Sequence, residues 1–92
     1  MSRQAWLKAV CTSLIYASIT GFPSSAKDLA DKVAFDLTIQ AMCGFMHITG
    51  DPDGPPTKVG YAITDVLTGH SITQGILAAA LHKERTGEGQ HV

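Results

Sequence analysis

The sequence predicts an α/β fold, mostly helical with one or two short strands, and three observations carry that prediction. The run Leu14-Ile15-Tyr16-Ala17-Ser18-Ile19-Thr20 is continuously apolar or β-forming instead of alternating. That pattern belongs to a strand covered on both faces, as in a parallel sheet. A long helical pattern runs from Ile63 to Arg85 and is closed by Thr86-Gly87, with glycine suited to a left-handed cap. A shorter helical pattern opens at Asp36, and loop-forming residues separate the three segments.

Taken in order, residues 4–10 place Trp6, Leu7 and Val10 on one side of a short helix. The opening Met1–Val10 is basic, acid-free and amphipathic, the composition of a transit peptide and equally of an ordinary helix before a strand. The run 14–20 ends at Gly21, and one such strand cannot be covered by a chain of 92 residues alone. Phe22–Asp28 has loop chemistry, with Pro23 withholding a ladder donor. Asp36–Met46 reads as a helix with Leu37, Ile39, Ala41 and Met42 inward, weakened at its end by Gly44. Asp51-Pro52-Asp53-Gly54-Pro55-Pro56 then reverses the chain, because the prolines fix φ and the glycine permits positive φ. The long helix gathers Val66, Thr73, Ile76, Leu77, Ala80 and Leu81 near one stripe, with Lys83, Glu84 and Arg85 solvated. Glu88–Val92 reads as the start of another strand.

Composition narrows the function classes. Hydrophobic residues make up 45% and charged residues 16% of the chain, which calls for a packed core and not a disordered segment. A net charge of −1 carries no electrostatic footprint for nucleic acid or an anionic membrane, and no apolar run approaches the ~20 residues that span a bilayer. Cys11 and Cys43 have no C-x-x-C partner, which signals neither zinc nor a disulfide framework and fits a reducing compartment. His47, His70, His82 and His91 lack metal-ligand spacing, so no metal site is expected. Gly87-Glu88-Gly89 follows a helix instead of joining a strand to one, so its context is wrong for a dinucleotide loop. Asp51 and Asp53 are interrupted by prolines that a calcium loop would not carry.

The residue with most chemical promise is Asp65, in Gly60-Tyr61-Ala62-Ile63-Thr64-Asp65-Val66-Leu67-Thr68-Gly69, at the head of the long helix. The positive end of a helix favours an anionic group, which suits a carboxylate nucleophile and equally a plain helix cap. No Ser/His/Asp or Cys/His arrangement accompanies it.

Several segments together are similar to one family. These are Leu14–Phe22, Phe35-Asp36-Leu37-Thr38-Ile39-Gln40-Ala41-Met42, Gly44–Gly50, Pro52–Pro56, Ala62–Gly69 and Arg85-Thr86-Gly87-Glu88-Gly89-Gln90-His91-Val92. Each is short, but six in order at the family's spacing resemble the central part of the class III CoA-transferases. This is the CaiB/BaiF family, which includes formyl-CoA transferase and the α-methylacyl-CoA racemases. The resemblance implies that residues 14–92 are a partial family domain, a fragment of the Rossmann-like large domain, preceded by a divergent amino-terminal segment, 1–13.

The resemblance also implies chemistry. Asp65 aligns with the family's catalytic aspartate, which attacks an acyl-CoA and carries CoA as an aspartyl thioester before a carboxylic acid takes it. Lys32, Phe35 and Asp36 match positions implied in substrate or CoA binding. CoA and acyl-CoA are then substrates, with no permanently bound cofactor. The implied partners are an acyl-CoA, a carboxylic acid and a second copy in an interlocked homodimer, with no nucleic acid and no membrane. The implied location is the cytoplasm, or the mitochondrial matrix in a eukaryote. Gly44–Gly50 looks most like the dicarboxylate branch. In racemases the position of Phe35 holds a proton-transferring histidine, so phenylalanine there disfavours racemization. Pro23-Ser24-Ser25 stands where the family loop is rich in glycine, so the resemblance implies no backbone contact at that loop. Family members are several times longer, so the alternative to a working piece of a transferase is a catalytically inactive truncated remnant.

Overall fold

Three helices form the regular structure of the described residues: α1 (Arg3–Val10), α2 (Asp36–Met42) and α3 (Ile63–Thr86). The computed structural model describes residues 3–92; Met1 and Ser2 of the basic opening stretch lie outside the described residues. The chain forms two compact units, one combining its start up to Ile19 with Gly69–Val92, the other comprising Thr20–Thr68.

In the first unit the chain leaves α1 through a turn in which the Cys11 amide bonds the Leu7 carbonyl at 3.0 Å. It then runs extended beside the chain's end. Tyr16 donates its amide to Gln90 at 2.9 Å, Val92 donates to Tyr16 at 2.9 Å, and Ser18 donates to Val92 at 3.0 Å. This is parallel pairing, and the Tyr16 and His91 rings stack beside it with centroids 5.1 Å apart. It amounts to one isolated bridge. The expected strands at 14–20 and 88–92 are therefore corrected: a strand needs successive ladder pairs, and here the pairing begins and ends within a few residues. The run is not covered on both faces either, since Ile19 is 59% exposed.

Glycine makes this approach possible at one position. Gly89 is buried and donates its amide to Thr12 at 2.7 Å, and a Cβ there would overlap the Leu14 backbone. On α3, small residues form the close-packed face: Ala79 is buried, and one turn earlier Gly75 lies so near Val92 that a Cβ would meet its side chain. The expected stripe through Val66, Ile76, Leu77 and Leu81 is corrected accordingly, since these large side chains remain exposed. Backbones approach closely only where side chains are small, so the bulky apolar residues of α3 point elsewhere. Gly87 ends the helix at φ +77°, and its amide bonds the Lys83 carbonyl at 2.7 Å.

In the second unit, residues 23–32 form successive turns that lead to α2. α2 is shorter than the 36–46 pattern suggested. Cys43 caps it through its amide to Ile39 at 2.9 Å, and Gly44 takes φ +87°. The burial expected for Leu37, Ala41 and Met42 is also corrected, because all three are exposed, Ile39 is half-buried, and the buried residue of α2 is Gln40. After α2 the Asp51 carboxylate accepts the Asp53 amide at 3.1 Å, the side-chain bond of an Asx turn. Thr57 then donates its amide back to Met46 at 3.0 Å, closing the reversal that the prolines and Gly54 announced.

Candidate active site

The site is built on the polar face of α2. Asp36 and Gln40 are four residues apart and so lie on one face of the helix. Gln40 is 1% exposed and uses its whole amide: Nε2 donates to Asp36 Oδ2 at 2.5 Å and to the Tyr61 carbonyl at 3.4 Å, while Oε1 accepts the Val59 amide at 2.9 Å. A buried amide is costly unless its donors and acceptor are all paired, and here they are. Gln40 thereby fastens the 59–61 segment to α2.

The other Asp36 oxygen reaches the start of α3. Oδ1 accepts the Thr64 amide at 2.7 Å, the Thr64 hydroxyl at 2.5 Å and the Asp65 amide at 3.2 Å. These amides belong to the first helical turn, which has no intrahelical carbonyls to use. The Thr64 hydroxyl holds the Asp36 carboxyl below its ordinary value of 3.8; partial burial opposes this, and the Gln40 amide and the Asp65 and Thr64 backbone N–H groups reinforce it. Asp36 is thus the helix-capping carboxylate, a role the sequence had left open for Asp65.

The cap occupies the helix end completely. The Ile63 amide bonds Tyr61 at 2.8 Å, the Val66 amide bonds Ala62 at 3.1 Å, and Asp36 takes the two between. The first four amides of α3 are therefore all committed, and none is left to hold a substrate oxyanion.

Beside this network lies an open cleft of about 430 Å³, lined among others by Phe35, Asp36, Lys58, Tyr61, Ala62 and Asp65. Phe35 is 68% exposed and Tyr61 59%, so the lining offers aromatic surface. Asp65 is exposed, and among the described residues no side-chain donor holds its carboxylate. Of the residues singled out by sequence, Phe35, Asp36 and Asp65 come together here. Lys32 lies outside this lining, and the cation of the cleft is Lys58. Sequence reasoning missed Gln40, Thr64 and Lys58. A glutamine four residues after an aspartate, on the same face of a short helix, was the legible sign of the first. Among the described residues, no group of three His, Cys, Asp or Glu side chains could hold a metal ion, and no helix is long and apolar enough to cross a membrane.

A sequence profile described as CoA-transferase family III matches residues 3–92. The chain belongs to CoA-transferase family III. Family relatives include a succinate–glutarate CoA-transferase of Agrobacterium fabrum, 46% identical over 94% of this chain and 21% of its own length. A succinyl-CoA:mesaconate CoA-transferase of Haloarcula hispanica is 51% identical over 86% of this chain and 21% of its own length. The crystal structure of a CaiB/BaiF family protein from Brucella suis superposes with a TM-score of 0.82 at 40% identity, covering 100% of this chain and 24% of the Brucella chain. The chain thus spans about one fifth of the length of the curated relatives it matches. The family III segment holds the cleft and the Asp36–Thr64 junction within its matched residues.

Proposed function

We propose that this segment supplies the nucleophile for transfer of CoA between an acyl-CoA and a carboxylic acid, within the Rossmann-like large domain of a homodimeric enzyme. Asp65 is that nucleophile. The observation that carries the reading is the exposed Asp65 carboxylate in an aromatic-lined cleft, on a helix whose capping is done by a different acid. Family membership supplies the reaction class.

The chemistry proceeds by exchange at carbonyl carbon. The Asp65 carboxylate attacks the donor thioester, the tetrahedral intermediate expels CoA thiolate, and a mixed anhydride remains. The thiolate then attacks the aspartyl carbonyl, releasing the donor as a free carboxylate and leaving an aspartyl-CoA thioester. The acceptor carboxylate attacks that thioester, expelling the thiolate and forming a second anhydride. Return of the thiolate to the acceptor's carbonyl regenerates Asp65 and yields the new acyl-CoA. Bonds and charges balance without a metal or redox step, and covalent catalysis divides one hard transfer into easier ones. Phe35 faces the cleft with no titratable group, which favours CoA transfer over proton exchange at an α-carbon. The names of the relatives point to dicarboxylic acids such as succinate as the acid class. Lys58 is the cleft's complement to a second carboxylate.

The test is a hybrid in which residues 3–92 replace the matching segment of the Agrobacterium enzyme. With succinyl-CoA and hydroxylamine, the Asp65 peptide should acquire a hydroxamate detectable by mass spectrometry, and Asp65→Ala should abolish both that adduct and CoA transfer. An active hybrid that keeps full transfer in Asp65→Ala would contradict the reading.

A further inference from the structure

We infer that Asp36, clamped by Gln40 and Thr64, is a positioning residue that fixes the first turn of α3 and so the direction in which Asp65 presents its carboxylate. The inference rests on Asp65 being the nucleophile and assigns to Asp36 and Gln40 a task other than touching substrate.

The local sequence explains the need. The Val66 amide bonds the Ala62 carbonyl, which makes Ala62 the N-cap of α3, and alanine has no side-chain oxygen to cap with. Left so, the first turn would expose its Thr64 and Asp65 amides without protein acceptors, and a helix end of that kind frays. Asp36 supplies the missing acceptor from 28 residues earlier in the chain. Its Oδ1 binds two successive backbone amides and the Thr64 hydroxyl, so the turn is fixed at three points around the residue that precedes the nucleophile. Asp36 would itself swing if only these bonds held it. Gln40 prevents that, because its buried amide grips Oδ2 while its other contacts tie it to Val59 and Tyr61. The order of dependence is therefore 59–61 segment, Gln40, Asp36, first turn of α3, Asp65. Such placement matters because a displacement of about 1 Å at a reacting group can cost roughly 100-fold in rate.

The alternative role for Asp36, direct contact with substrate or CoA, makes opposite demands. A contact residue would weaken binding when altered, whereas a positioning residue lowers the rate of the chemical step and leaves binding alone. Asp36 Oδ1 takes three donors and Oδ2 takes one, so most of its acceptor capacity is spent inside the protein.

The experiment has two arms. In the 92-residue chain, NMR titration should show the Thr64 and Asp65 amide protons following the Asp36 side-chain carboxyl resonance through one shared midpoint. Thr64→Val should raise that midpoint and Thr64→Ser, which keeps the hydroxyl, should bring it back. In the Agrobacterium hybrid, Asp36→Asn and Thr64→Val should each lower kcat roughly 10- to 100-fold with little change in KM for the acyl-CoA, and Thr64→Ser should restore the rate lost in Thr64→Val. Amides that ignore the Asp36 titration would overturn the inference, as would a raised KM with kcat intact. Asp65→Ala tests the nucleophile by itself, so loss of that reading and loss of this one give different results.

Discussion

The Asp36 carboxylate accepts the Thr64 backbone amide at 2.7 Å and the Thr64 hydroxyl at 2.5 Å, joining α2 to the first turn of α3 through a single side chain. The consequences begin with pH. Because Thr64 and its neighbours hold the Asp36 carboxyl below its ordinary value, the unfolded chain takes up this proton more readily than the folded one. The stabilisation is complete above the ordinary aspartate value and is lost as pH falls through the lower folded value. Urea midpoints measured from about pH 6 down to about pH 2 should fall more steeply in the wild-type chain than in Asp36→Asn. Equal slopes would mean that the carboxylate is not bound as described.

Gln40 carries a prediction about stability. Gln40→Leu keeps the volume approximately but strands the Val59 amide and one Asp36 oxygen, while the Tyr61 carbonyl keeps its bond from the Ile63 amide. Leaving a buried polar group unpaired costs about 1–3 kcal/mol, and the loss should appear in chemical denaturation. Gln40→Glu should be destabilising as well, since it sets a second acidic oxygen against Asp36 Oδ2.

Two glycine-to-alanine changes should act in opposite directions. Gly89→Ala drives a methyl into the Leu14 backbone and should destabilise the chain by at least the ~1–3 kcal/mol usual for overpacking. Gly69→Ala lies inside α3, where a Cβ meets nothing within 4 Å, and should stabilise it by about 0.5–1 kcal/mol. Thermal melts of the two variants separate these effects.

The exposed thiol of Cys11 is held below its ordinary range chiefly by the Ser13 hydroxyl, 3.6 Å away, with the Ser13 backbone and then Lys83 adding to it against slight burial. Thiolate is the reactive form, so Ser13→Ala should slow alkylation of Cys11 by iodoacetamide near neutral pH. An unchanged rate would remove the hydroxyl as the cause.

The helices were legible because their limits are written in local chemistry. Gly87 closes α3, Asp36 opens α2, and the Asp51–Pro56 turn follows from its prolines and glycine. The family was legible because six segments keep their order and spacing. What misled was the assumption that apolar residues on a short helix face inward. On α2 the buried face is polar, since Asp36 and Gln40 meet partners 19 to 29 residues away that no local window contains. The run 14–20 has strand composition, but composition does not provide the successive pairs that make a ladder. The place of Asp65 in the first turn of α3 could be read from sequence, whereas the acid that caps this helix could not, because Ala62 gives no local hint of which side chain replaces the missing cap.

The proposed nucleophile, Asp65, becomes covalently linked during CoA transfer. This linkage is tested most directly by mass spectrometry of the hydroxylamine-quenched Agrobacterium hybrid after incubation with succinyl-CoA. A hydroxamate is expected on Asp65 in the wild-type segment, with neither adduct nor transfer in Asp65→Ala. Undiminished transfer by the Asp65→Ala hybrid, or an adduct on a different side chain, would contradict the proposal.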